Sequence, residues 1–261
     1  MMAKMARDAN GPIDRILHRR TLARWTAAAR AAADADLSVL RAQRQQARQL
    51  RGPLQELTHT ADSRLALPRI GSTTFPRPAG TDWSWRPQAW RAALPLRGHA
   101  PAQNKTALGN ELTLFHDCQT TEIALRQTRN QRDQDLAPYG VALEVFRFDG
   151  NYLSLVVDLP PSACEGLRKR HLIRLAAVVE TEVPVSVLAR LNVKHGPNTD
   201  QNLQTLPLDH DDVFIEFDLA YGQMNETRVE RIWVDLMFQN PQMNQITIRD
   251  LNFCRYPRAE L

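Results

Sequence analysis

Nine short stretches of alternating apolar and polar residues fill the second half of the sequence, and they constrain the fold more than any other feature. Alternation with a period of two places the apolar side chains on one face of a strand. Turn-forming runs such as HGPNTDQN and LDHDD separate the stretches, and no long helical pattern lies between them. The pattern predicts a mainly β fold, an antiparallel β-sandwich of jelly-roll type over residues 105–261. The predicted strands are 111–116, 120–128, 141–148, 151–159, 171–180, 184–194, 213–219, 230–238 and 245–255.

Two of these stretches are joined by Asp149-Gly150, a dipeptide typical of tight turns. A type I′ turn needs positive φ at both central residues, which Asp-Gly accepts. We therefore predict a hairpin over residues 141–159, in which Phe146 lies opposite Leu153. Its apolar face would comprise Phe146, Phe148, Leu153, Leu155, Val157 and Leu159.

The N-terminal region predicts a basic helical arm over residues 1–52. No Gly or Pro occurs between Ile13 and Leu50, the middle is rich in Ala, and Gly52-Pro53 is a typical helix stop. We expect one long helix before residue 53, or two with a break near 34–36. Its basic edge consists of Arg41, Arg44, Arg48 and Arg51. Three interpretations of this helix are open: it is structural, it binds a protein partner or a second copy, or it lies on nucleic acid or a membrane surface. A membrane-surface helix carries bulky residues along its whole apolar face, and the apolar face here is too thin for that.

Residues 53–104 form a different kind of segment, rich in Pro and Trp. Seven prolines disfavour long regular elements, while three tryptophans carry too much apolar area to stay in water. We predict an extended strap that docks on the sandwich through Trp83, Trp85 and Trp90. The alternative is that Trp83 and Trp85 present an aromatic surface to a ligand.

The charge distribution is asymmetric. Residues 1–104 hold 17 Lys/Arg and 7 Asp/Glu (net +10), whereas residues 105–261 hold 16 and 22 (net −6), which together give the net charge of +4. The N-terminal part therefore either lies on the C-terminal part or reaches for an acidic partner. An acidic sandwich gives no support to a sequence-specific DNA-binding function.

The candidate ligand site is polar. His195, Asn198, Asp200 and Asn202 lie in or beside the predicted loop HGPNTD. Together with Asn192 they offer amides and carboxylates, which suit polyol recognition. Asp218 and Asp235 interrupt apolar strands at outward positions and, with Asp250, would line a groove if their strands adjoin. The simpler interpretation of both sets is solvated surface.

The only metal that the sequence suggests is Ca²⁺, at the acidic loop Asp209, Asp211 and Asp212, because hard cations prefer clustered oxygen ligands. The spacing matches no EF-hand, and the loop is equally explained as solvated. We predict no catalytic residue and no cofactor: phosphate-binding, metalloprotease and nucleophile-elbow motifs are missing from the sequence. His116 and Cys118 share a strand face without a third orienting group.

No apolar stretch approaches the length of a membrane span, and no apolar region follows the basic N-terminus, so we expect a cytoplasmic protein. The three cysteines are far apart, which fits reduced thiols better than disulfides.

The segments TDWSWRP, NELTLFHDC, FRFDGNYLSLVVDLP, RLNVKHGPNT and IRDLNFCRYPRAEL resemble an uncharacterised family of similar-length proteins from Rhodobacter-type alphaproteobacteria. This resemblance covers most of the chain and implies no known activity. The strand pattern alone is similar to that of jelly-roll carbohydrate-binding modules.

The function predicted from the sequence is a non-catalytic binding module with carbohydrate as its ligand. One alternative is a structural component of a larger assembly, in which the N-terminal helix binds a protein partner or a second copy. The other, less favoured, is a glycoside-active enzyme that uses paired carboxylates.

Overall fold

The N-terminal helices break where the sequence predicts but end later. A computed structural model describes residues 11–65, 74–210 and 212–258, and the chain has two compact units, Met1–Thr58 and His59–Leu261. Helix α1 spans Pro12–Ala31 and helix α2 spans Leu37–Leu65. The predicted stop at Gly52-Pro53 is wrong, because α2 continues through Pro53. An internal proline costs about 3 kcal/mol, but good helix formers on both sides extend the helix. Among the described helices, none is long and apolar enough to cross a membrane.

The described residues from 74 onward form a sandwich of two antiparallel sheets, which confirms the predicted fold class. The seven-stranded sheet contains β1 (Trp83–Trp85), β2 (Gly98–His99), β5 (Glu122–Arg129), β6 (Tyr139–Arg147), β8 (His171–Thr181), β11 (Asp212–Asp218) and β13 (Asn244–Pro257). The six-stranded sheet contains β3 (Thr106–Leu108), β4 (Leu112–His116), β7 (Leu153–Asp158), β9 (Ser186–His195), β10 (Asn198–Thr205) and β12 (Val229–Gln239). A short helix α3 (Gln88–Arg91) and a 3-10 turn (Pro161–Ala163) complete this unit.

Strand order brings distant parts of the chain together. The first sheet runs β11-β8-β13-β6-β5-β2, and β1 pairs with the later part of β13; the second runs β10-β9-β12-β7-β4-β3. All nine predicted strands are present, and the alternation assigned to β8, β11 and β12 is confirmed by the burial of their apolar residues. Burying this apolar area between the sheets, at about 25 cal/mol per Å², is the main force that holds the sandwich together.

The predicted hairpin over residues 141–159 is wrong. Strand β6 lies in the seven-stranded sheet and β7 in the six-stranded sheet, so the two strands do not pair. The buried face of β6 is also the opposite one: Val141, Leu143 and Val145 are in the core, whereas Phe146 is 57% exposed. Both faces of β6 are largely apolar, so alternation alone did not decide which one the core would take.

Hydrogen bonds to two aspartates, Asp117 and Asp149, hold the segment in which the chain crosses from β6 in one sheet to β7 in the other. Asp117 accepts hydrogen bonds from the backbone and side-chain nitrogens of Asn151 and from Tyr152 N, and these bonds, led by that of the side chain, lower its pKa. Asp149 accepts bonds from the backbone nitrogens of Gln119 and Thr120. Gly150 is required here for space, since a Cβ would lie 2.4 Å from Asp117 Oδ1.

The Trp-rich part of the strap packs on the seven-stranded sheet. Trp90 is fully buried and donates from Nε1 to the carbonyl of Ile248 at 2.8 Å. Trp85 stacks on Phe253 with ring centroids 5.9 Å apart. Trp83 Nε1 donates to Ser162 Oγ at 3.2 Å. The proposed division into 1–52, 53–104 and 105–261 stays a prediction, and residues 66–73 lie outside the described part.

A buried ion pair fastens the strap to β13. Arg86 donates from Nε to Asp250 Oδ1 at 2.8 Å and from Nη2 to Oδ2 at 2.7 Å. Arg86 is 1% exposed and Asp250 5%. Burial raises the pKa of Asp250, and the guanidinium opposes this shift. The two charges depend on each other, because neither has water to solvate it.

We predict that Gly150→Ala destabilises the sandwich by about 1–3 kcal/mol, because the new methyl group overlaps Asp117 and Cys118 N. Urea unfolding followed by tryptophan fluorescence measures the change. Gly52→Ala is the control: its Cβ would meet nothing within 4 Å, so the sandwich midpoint should not move. Equal stability of Gly150→Ala and the wild type would contradict the close approach.

We also predict that Arg86→Met or Asp250→Leu alone costs about 3–5 kcal/mol, since each leaves a buried charge without its partner. The double variant should be markedly more stable than the sum of the two single changes implies. A double-mutant cycle from urea unfolding measures this coupling. Additivity within about 0.5 kcal/mol would show that the pair does not act as a unit.

Candidate ligand groove on the six-stranded sheet

The outer face of the six-stranded sheet forms a groove of about 1150 Å³. The antiparallel register of β9, β12, β7 and β4 arranges its floor in three rows. The first row is Asn192, Trp233 and Asp158; the second is Arg190, Asp235, Val156 and Thr113; the third is Leu188, Met237, Ser154 and Phe115. These residues alternate with the buried positions of the same strands, which explains why they all share one face.

Asp235 lies at the centre of the groove, and one of its carboxylate oxygens accepts three hydrogen bonds. Arg190 donates to its Oδ2 from Nε at 2.9 Å and from Nη2 at 2.7 Å, and Asn192 Nδ2 donates at 3.0 Å. Arg190 Nη2 and Asp235 Oδ2 also form an ion pair whose carboxylate side chain is only 6% exposed. The two partners therefore hold this carboxylate in one fixed position.

Two buried polar atoms of the groove have no hydrogen-bond partner within the described part of the protein: Asn192 Oδ1 and Ser154 Oγ. The Asp235 carboxylate only accepts hydrogen bonds, so the amide nitrogen of Asn192 must face it and the amide oxygen must point elsewhere. Asn192 is fully buried, and Ser154 is 8% exposed. A buried polar atom without a partner costs about 1–3 kcal/mol, so both atoms would gain from a hydroxyl group that a small side-chain movement allows to reach them.

Aromatic rings accompany these polar atoms. Trp233 is partly exposed, and the Arg231 guanidinium lies 4.9 Å from the centre of its ring. Arg231 in turn donates from Nε to Asp158 Oδ1 at 2.9 Å. Phe115, Phe148 and Tyr152 also line the groove. The surface thus combines flat apolar rings with amide, hydroxyl and charged groups.

Of the ligand residues proposed from the sequence, Asn192 and Asp235 lie in this groove. Residues 198–205 are strand β10 rather than the expected loop, and Gly196, with φ +60°, begins the turn that joins it to β9. Asn198 is exposed at this turn. His195 Nε2 and Asp200 Oδ1 lie 3.1 Å apart, and Asn202 Nδ2 donates to the Asp218 carbonyl at 3.2 Å.

Asp200 and Asn202 face a second, smaller cavity of about 440 Å³ between β10 and the end of β11. Asp200 Oδ2 is buried there without a hydrogen-bond partner among the described residues.

The condition for a groove lined by three carboxylates is not met. Asp218 and Asp235 lie in different sheets, and Asp250 is buried against Arg86. Asp218 instead accepts from Ala220 N at 2.9 Å and pairs with Arg258 at 3.3 Å. Trp83 and Trp85 are partly buried against the core.

The acidic loop offers no metal centre within the described range. Asp211 and the side chain of Asp212 lie outside it, Asp209 is largely exposed with His210 Nε2 3.9 Å away, and no group of three or more ligating side chains occurs among the described residues.

His116 and Cys118 do not form a catalytic pair. His116 Nε2 lies 3.0 Å from the carbonyl of Ala102, and its Nδ1 accepts from Cys118 N at 3.3 Å. Both ring nitrogens are therefore used by the backbone. Burial raises the pKa of the Cys118 thiol, which disfavours the nucleophilic thiolate.

Solved structures similar to this chain share little sequence with it. The enzymatically active domain of bacteriophage CBA120 tailspike protein 4 is 8% identical with a TM-score of 0.40, and the match covers 60% of this chain. This chain spans 21% of that domain.

The family 11 carbohydrate-binding module of Clostridium thermocellum, solved with a β-1,3-1,4-mixed-linked tetrasaccharide, is 10% identical with a TM-score of 0.38, covering 61% of this chain and 96% of the module. The CBM22-1 xylan-binding domain from Paenibacillus barcinonensis is 9% identical with a TM-score of 0.34, covering 62% and 94%.

No curated protein matches the sequence. One family model does, and its match runs over residues 5–261. With nearly its whole length matched, the chain belongs to the family of unknown function DUF6478.

Proposed function

We propose that this protein binds carbohydrate without cleaving it, in the groove on the outer face of the six-stranded sheet. The observation that carries the proposal is the pair of buried, unpartnered atoms Asn192 Oδ1 and Ser154 Oγ in a groove lined by aromatic rings. Hydroxyl groups of a sugar both donate and accept hydrogen bonds, so they suit an amide oxygen and a serine hydroxyl equally well.

The arrangement of the two atoms supports a ligand longer than one sugar ring. They lie in the first and third rows, on strands that are two apart. Standard strand spacing and rise put their backbones roughly 16 Å apart. The groove volume of about 1150 Å³ also exceeds the ~300–1,000 Å³ typical of small-molecule pockets. An oligosaccharide fits both dimensions better than a monosaccharide.

The rings supply the apolar part of the proposed contact. A pyranose ring carries an apolar face of C–H groups, which packs on a flat aromatic surface such as Trp233. The polar neighbours Arg190 and Asp235 hold each other in place, so little side-chain ordering is needed on binding.

The ion pairs made by the carboxylates of the groove support binding rather than hydrolysis. Asp235 and Asp158 are each bonded to an arginine. A glycosidase requires one carboxyl group that donates a proton to the leaving oxygen. Both carboxylates are held by an arginine side chain in the groove, so neither is placed to serve as this proton donor.

The end of the sandwich with His195, Asn198, Asp200 and Asn202 is the alternative place for the same ligand class, as is the Trp83–Trp85 surface. The unpartnered Asp200 Oδ2 supports the first of these. Variants Asn198→Ala and Trp85→Ala separate these locations from the groove.

A structural role in a larger assembly is the second candidate function. It is favoured by the exposed leucines of α2, three of which are 45–65% exposed.

Ser154→Ala tests the proposed function most sharply. Removing an unpartnered buried hydroxyl should leave the free energy of unfolding unchanged or slightly higher. The same change should weaken oligosaccharide binding about 3- to 10-fold, because the ligand loses a hydrogen bond worth ~0.5–1.5 kcal/mol. A glycan array selects the oligosaccharide, and calorimetry measures its affinity for each variant.

Trp233→Ala should weaken the same binding by about tenfold or more. Phe214→Ala is its matched control, since this aromatic residue is 49% exposed in the other sheet. No binding on the array, or equal loss in the Phe214 and Trp233 variants, would refute the groove as a carbohydrate site. Release of shorter sugars during the measurement would favour the enzyme.

A further inference from the structure

The N-terminal helices lack a core of their own. Among residues 11–58 no described side chain is buried. Leu50, Leu54 and Leu57 of α2 are 45%, 58% and 65% exposed. Helices in folded proteins owe most of their stability to the packing of an apolar face, and isolated helices are only marginally stable in water. This exposure therefore indicates that something covers α2.

The apolar residues of α2 follow a heptad repeat. Leu40, Ala47, Leu54 and Ala61 occupy position a, and Gln43, Leu50 and Leu57 occupy position d, a spacing of 3-4-3-4-3-4. We call these seven residues the seam. A narrow a/d stripe of this kind is typical of a two-stranded coiled coil. Gly52 and Pro53 take positions f and g, so they lie outside the seam.

From this pattern we infer that α2 pairs through the seam with α2 of a second copy of this chain, in parallel and in register. The inference is independent of the carbohydrate groove, and it gives the assembly candidate a defined partner. In this arrangement each seam residue meets its own equivalent, so the leucines at 50, 54 and 57 cover one another.

A glutamine at position d supports a second copy over an unrelated helix. The Gln43 side chain carries both donors and an acceptor, so two copies of it satisfy each other at the same level of the seam. A polar residue at a core position also fixes register and the number of strands. Gln43 is partly buried in the single chain.

The charges beside the seam select the parallel orientation. Arg44 and Arg51 occupy position e. In a parallel pair they lie beside position g of the second copy, which holds the uncharged residues Val39, Gln46 and Pro53. The one charge bonded to these residues in the described chain is that of Arg24 in α1, which donates from Nη2 to Gln46 Oε1 at 3.0 Å. In an antiparallel pair position e faces position e, so arginine would meet arginine. The parallel pair leaves only longer-range repulsion between the basic helices, which salt screens.

Sedimentation velocity of the full chain over a wide range of concentration, at low and high NaCl, tests the inference. We expect a monomer–dimer equilibrium whose dissociation constant falls as salt rises, because screening removes arginine repulsion. Replacing Leu50, Leu54 and Leu57 together by Ser should raise this constant roughly hundredfold or more.

The matched control replaces Gln45, Gln49 and Gln55 by Ser. These residues lie outside the seam, and Gln resembles Leu in helix propensity, so both triple variants weaken the isolated helix alike. Only the seam variant should lose dimerisation. Tryptophan fluorescence on urea unfolding confirms that the sandwich of each variant is intact. Carbohydrate binding in the groove is measured separately, so that a failure of the dimer and a failure of the proposed function can be told apart.

Cysteine cross-linking tests the orientation even if the triple variants lose helix. Ala47→Cys at position a should form a disulfide-linked dimer on mild oxidation, and Gln45→Cys at position f should not exceed the wild type. A chain that is monomeric under all conditions overturns the inference. Equal cross-linking at positions 45 and 47 would also overturn it. So would association that weakens as salt rises, because that is the behaviour expected of binding to an acidic partner. Binding to anionic phospholipid vesicles without self-association would overturn it as well.

Discussion

Strand β13 is the element on which the sandwich unit depends. Its fourteen residues pair with β8 along one side and with β6 and then β1 along the other. Most of the strap's fastenings also end on it: the Arg86 guanidinium on Asp250, the Trp90 indole on the Ile248 carbonyl, and Trp85 on Phe253. The pairing shifts register between Ile248 and Asp250, so the buried charge sits at an irregular point of the strand. Loss of β13 would therefore remove the centre of one sheet and the support of the strap together.

The sequence predicts the fold class and nine of the thirteen described strands, because burial of one face of a strand makes apolar and polar residues alternate along it. It did not predict how β6 and β7 are joined. Asp149-Gly150 is as compatible with a crossing between sheets as with a hairpin, and hydrogen bonds to Asp117, more than thirty residues earlier in the chain, decide between the two. The three-residue or shorter strands β1, β2 and β3 were missed because so few residues show no period.

Among the groove residues, the sequence points to Asp235 and Asn192, and it groups Asn192 with the loop that begins at His195. Trp233 and Arg190 do stand at outward positions of recognised strands, so the alternation of β9 and β12 contained enough information to find them. Ser154 could not be singled out in this way. The feature that marks Ser154 Oγ and Asn192 Oδ1 is the lack of a hydrogen-bond partner, which can be recognised only when the neighbouring strands and their register are known. Candidate binding residues of this kind therefore require a structure.

The sequence does not predict strand β10 for a different reason: seven of its eight residues are polar, a composition typical of a loop. The same composition suits its place at the edge of the six-stranded sheet. An edge strand leaves a row of backbone donors and acceptors open, and apolar side chains there would invite a foreign strand to extend the sheet. Amide, hydroxyl and carboxylate groups keep that border hydrated. The sheet can thus stop at six strands, and the molecule resists the edge-to-edge stacking that leads to aggregates.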